Sequence, residues 1–88
     1  MTSVWVVAES RFDWYEIKHI CATEKMALRK WDELRLELIK ENKHMVEYCI
    51  ETNSSPEPWS DAITLLHNMN PGDAPHCDYP DIKEWVLE

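Results

Sequence analysis

Glycine is nearly missing from this chain: Gly72 is the only one in 88 residues. Phosphate-binding loops and dinucleotide fingerprints need several glycines so that backbone can close on a phosphate. Both are excluded. Long apolar runs are missing too. The longest, Val4 to Ala8, falls far short of the roughly 20 residues that a membrane-spanning helix requires. The N-terminus also lacks the basic-then-apolar layout of a secretory leader. Cysteine is sparse and odd in number, at positions 21, 49 and 77, which is a poor disulfide framework. A single domain over 1–88 in a reducing cytoplasm is therefore expected.

Basic residues are scarce in one half only. Residues 1–44 balance their charges, whereas after residue 44 Lys83 stands alone against Glu47, Glu51, Glu57, Asp61, Asp73, Asp78, Asp81, Glu84 and Glu88, so the whole net charge of −8 sits in the second half. Nucleic acid and anionic membranes are polyanions met by Lys and Arg, and neither is an expected direct ligand. A protein partner with a basic surface is favoured instead. Acidity that serves only solubility is the plain alternative.

What is present reads as alternating and helical patterns. Val4 to Glu9 is β-branched and aromatic at both parities, as in a strand covered on both faces. Trp14 to Cys21 alternates, with Tyr15, Ile17, His19 and Cys21 on one face and Trp14, Glu16, Lys18 and Ile20 on the other. Thr23 is a good N-cap for a helix running to about Asn42, whose Ala27, Leu28, Trp31, Leu34, Leu38 and Ile39 form one apolar stripe. His44 to Thr52 alternates again and predicts a third strand. Trp59, Ala62, Ile63, Leu66 and Met69 predict a short helix over about 57–69, and Ile82 to Leu87 a closing strand. The expected fold is α+β in the order β-β-α-β-α-β, with a mainly antiparallel sheet packed on the long helix. Its core joins Trp31, Leu34 and Leu38 to Val4, Val6, Tyr15, Ile17, Val46 and Tyr48.

Chemistry has few candidates. His19, Cys21, Cys49, His76 and Cys77 are residue types that zinc accepts, but no Cys-x-x-Cys knuckle is present, and a small zinc-binding domain is the minority alternative. Cys49 with His44 and Cys77 with His76 are the only nucleophile-base pairs to weigh. Neighbours on a strand point to opposite faces, and a loop pair is not held for proton transfer. No enzymatic activity and no cofactor are expected. The acids at 47, 51, 57, 61, 73, 78, 81 and 84 can instead imitate the charge of a nucleic-acid backbone, with Trp14 and Trp59 as apolar anchors. A structural or regulatory subunit with apolar contacts is the rival. The oligomeric state is open, a homodimer included.

The opening VWVVAES, the alternating WYEIKHIC and the helix start TEKMALRKW resemble the beginning of small acidic phage-encoded proteins, among them inhibitors of host defence of the anti-CRISPR type. That resemblance covers about Val4 to Glu41 as a pattern of elements. It implies a phage or mobile-element protein that blocks a basic, nucleic-acid-binding site on a host complex, and it assigns no residue a role.

Overall fold

β-branched side chains suit a pleated, buried surface, and the Thr2–Ser10 run forms the central strand, β1, of a three-stranded antiparallel sheet. The computed structural model describes residues 2–10, 15–72 and 79–87. Strand β2 (Tyr15–Cys21) pairs with one edge of β1 and β3 (Tyr79–Leu87) with the other, in the order β2-β1-β3. Between β2 and β3 run helix α1 (Glu24–Glu51) and helix α2 (Trp59–Asn68). The architecture is α+β, an antiparallel sheet on one long helix, in the order β-β-α-α-β.

One element differs from expectation. Residues 44–52, expected as a third strand, continue α1 to a length of 28 residues, so the helix does not end near Asn42. The helical spacing of Leu38 to Cys49 persists beneath the alternation of Val46, Tyr48 and Ile50, and no Gly or Pro interrupts it. Strand propensity is a weak prior against an uninterrupted helix. The stop comes at Asn53, whose φ of 59° is the left-handed conformation that Asn tolerates. There the amide of Asn53 donates to the Ile50 carbonyl (3.2 Å) and that of Ser54 to the Cys49 carbonyl (2.7 Å). Those two bonds satisfy carbonyls that the helix end would otherwise leave orphaned. At the other end the Thr23 hydroxyl accepts from the Met26 amide, as an N-cap should.

The core lies between the inner face of the sheet and the first half of α1. Trp31, Leu34 and Leu38 are buried with Val7, Cys21 and Ile82, and α2 adds Leu66. The Trp31 indole N–H donates to the Pro80 carbonyl (3.2 Å), tying α1 to β3. Of the partners expected for this stripe, Val4, Val6, Tyr15 and Ile17 stand on the opposite face of the sheet, Val46 is half-buried on α1, and Tyr48 is exposed. The cause in β2 is a register shift. His19 pairs with Val7 and Ile17 with Ala8, so Lys18 is an extra residue, a β-bulge. Past a bulge the alternation changes phase: His19 and Cys21 face α1, while Ile20, Ile17 and Tyr15 share the outer face.

Candidate interaction surface

Helix α1 outruns the sheet it packs on. At 1.5 Å per residue its 28 residues span about 42 Å, against about 30 Å for a nine-residue strand. The molecule is accordingly elongated, 55 Å in its longest dimension. Beyond Ile39, Cys49 is the only buried residue of α1. Helix α2 folds back along α1, since the Arg35 guanidinium donates to the Leu66 carbonyl (3.0 Å) near the end of α2. The start of α2 therefore lies beside the second half of α1, and the end of α1, the connection over 52–58 and the start of α2 make one end of the molecule, its tip.

The tip collects half of the eight acids singled out in the sequence. Glu47 and Glu51 stand on the last turns of α1, Glu57 in the connection, and Asp61 in the first turn of α2, all exposed. No Lys or Arg occurs from residue 45 to residue 72. Two of the other four, Asp81 and Glu84, lie on the sheet instead. Asp81 faces the outer side of the sheet in an ion pair with Lys83 (3.4 Å). Glu84 accepts from the Ser3 hydroxyl (2.8 Å) on the opposite face of β3. Asp73 and Asp78 lie outside the described residues, as does Glu88.

The placement of Glu51 opposes helix stability. A helix C-terminus carries partial negative charge and favours Lys, Arg or protonated His. The last turn of α1 has an acid and no base. Beside it Tyr48 and Ile50 are 62% and 63% exposed, large apolar groups with nothing over them among the described residues. Of the expected anchors, Trp59 is half-buried at the start of α2, and Trp14 lies outside the described residues. The large apolar groups exposed at the end of α1 are instead Tyr48 and Ile50. The sequence carried a sign of them, since neither falls on the buried stripe of α1 once residues 44–52 are helical.

Among the described residues the chemical candidates do not assemble. Cys49 is buried, whereas His44 is exposed and sits about 140° away around α1. His19 and Cys21 share the inner face of β2, His19 exposed and Cys21 buried, while Cys49 lies on the far half of α1. His76 and Cys77 lie outside the described residues. Among the described residues no group of three or more His, Cys, Asp or Glu side chains is placed to hold a metal ion. A groove of about 110 Å³ between β2 and α1 is lined by Glu9, Lys18, His19, Glu33, Glu37 and Glu41. Lys18 already bridges Glu16 (2.9 Å) and Glu9 (3.6 Å) there, and the Glu16 hydrogen bond raises its pKa. No described helix is long and apolar enough to cross a membrane. Comparison of the chain with protein-family models, with curated proteins and with solved structures finds no match.

Proposed function

We propose that this is a non-enzymatic interaction protein whose acidic tip occupies a basic, nucleic-acid-binding site on another protein and blocks it. The observation that carries this reading is the tip: Glu47, Glu51, Glu57 and Asp61 are exposed there in a stretch, residues 45–72, that holds no Lys or Arg, and the exposed Tyr48 and Ile50 flank Glu47 and Glu51 on either side of α1. Charge steers and orients such a contact, and desolvated apolar anchors hold it. An acid at a helix C-terminus costs about 0.3–1 kcal/mol. Its presence there is better explained by a partner than by solubility, which any other exposed position would serve equally well. The resemblance to small phage-encoded inhibitors points to a host protein that handles nucleic acid.

The test is binding to a partner captured from host lysate, measured across salt for the wild type and for a variant with Glu47→Gln, Glu51→Gln, Glu57→Gln and Asp61→Asn together. The expected loss is about tenfold or more for the variant. Wild-type binding should also fall steeply as the Debye length contracts from about 10 Å at 0.1 M salt to about 3 Å at 1 M. Glu84→Gln, off the tip, should bind as wild type. A partner held equally by wild type and the neutral variant would refute the reading.

Stability and binding should move in opposite directions at one residue. Glu51→Lys replaces an unfavourable charge at the α1 C-terminus with a favourable one. It should raise the unfolding free energy by about 0.3–1 kcal/mol in low salt while weakening partner binding. Chemical denaturation and binding, run on the same sample, check both signs.

A further inference from the structure

We propose that the outer face of the sheet is a contact between two copies of this chain. Its exposed apolar groups are Ile17 and Ile20 on β2 and Trp85 and Leu87 on β3, set around Val4, half-buried, and Val6 and Ala8, fully buried at the centre of the face. Ile20, Trp85 and Leu87 are 65%, 43% and 45% exposed. Helix α1 packs on the other face and α2 packs on α1, so no described helix covers this one. The bulge at Lys18 creates the patch by turning Ile17 and Ile20 to the same side. Patches of several hundred Å² on small proteins mark interaction sites.

Charge selects the occupant. The chain carries −8 overall, so two copies repel wherever their acids meet. On the outer face the charged side chains of the described strands are Asp81 and Lys83, which pair at 3.4 Å. Lys83 also sits over the Tyr15 ring at 5.6 Å, and the Tyr15 hydroxyl donates to Asp81, so these side chains arch across Ala8 from both edge strands. Burial, and then the Asp81 charge, push the Tyr15 pKa above its usual value. The face is neutral and internally satisfied. It offers a basic partner nothing to pair with, and it presents a second copy of itself with apolar surface and no net charge. Sheets pack face to face about 10 Å apart at about −30°, and a two-fold axis makes such a contact self-complementary. Two strands about 30 Å long and one about 23 Å long, about 4.8 Å apart, give a footprint of roughly 400 Å² per copy. That is below a standard interface, as suits a reversible dimer rather than an obligate one.

Sedimentation and light scattering from about 10 μM to about 1 mM test this. The wild type should move from its 10.5 kDa monomer mass toward twice that value. Added salt should strengthen the association by screening the repulsion of like-charged chains, the reverse of the salt effect expected for partner binding at the tip. Ile20→Lys and Leu87→Lys stand on opposite edge strands, and each lowers the net negative charge. Both should remain monomeric, with circular dichroism and melting unchanged to show that they fold. Tyr48→Ala, on the tip, should associate as wild type. A wild type that stays monomeric throughout, Lys variants that associate as wild type, or an association lost in Tyr48→Ala would each overturn the proposal. None of these outcomes depends on whether the tip binds a partner.

Discussion

Trp31→Ala is expected to lower the unfolding free energy by about 3–5 kcal/mol, as large aromatic truncations in cores do. Trp31 is 3% exposed and lies at the junction of every layer. Its ring packs in the cluster formed by Val7, Leu34, Leu38 and Ile82, and its indole N–H is bonded to the Pro80 carbonyl. The Arg35 guanidinium sits 5.8 Å from the ring centroid while reaching the Leu66 carbonyl. Alanine removes the ring, strands a buried carbonyl and deprives Arg35 of its platform. A domain of this size has a total stability of about 4–13 kcal/mol. The variant should therefore show a large fall in the denaturation midpoint, or populate unfolded chains at ambient temperature. A midpoint within a few tenths of a kcal/mol of wild type would mean that this face of α1 is not the core.

The same residue shows where sequence reasoning works and where it stops. Trp31, Leu34 and Leu38 were legible because helical spacing repeats over several turns, and Thr23 was legible as a cap because its hydroxyl supplies a bond the helix start needs. The hairpin, the short second helix and the closing strand rest on similarly local signals. Residues 44–52 were not legible. An alternating set of Val, Tyr and Ile satisfies both a strand and an exposed helix face, and only the absence of a stop before Asn53 separates them. The β-bulge at Lys18 has no composition of its own, so plain alternation puts Tyr15 and Ile17 on the core face with Cys21, whereas the fold turns them outward. The acids were visible as a count but not as a surface. Their division among tip, sheet face and sheet edge depends on how α2 folds back along α1, which no short-range pattern encodes.

Leu66→Ala is the second large effect, expected at about 2–5 kcal/mol, and it should act through α2. Leu66 is fully buried, the one buried residue of that helix, with Ile63 and Met69 packed around the same cluster. Helix α2 touches the body of the protein chiefly through α1. Ten residues make too short a helix to persist in water without such packing. Removing the anchor should release α2 before the sheet opens, since local unfolding follows the element with fewest buried apolar contacts. Hydrogen exchange gives the reading: amides of α2 should exchange much faster in Leu66→Ala, while those of the central strand β1 keep most of their protection. The functional consequence is specific. Asp61 rides on α2 and Glu57 on its approach, so loosening α2 separates them from Glu47, Tyr48 and Glu51 on α1, and partner binding at the tip should weaken even though no tip residue has changed. Association through the outer face of the sheet should persist, because Ile20, Trp85 and Leu87 lie on strands that α2 does not support. Equal loss of protection in α2 and β1 would show that the tip and the sheet unfold as one unit.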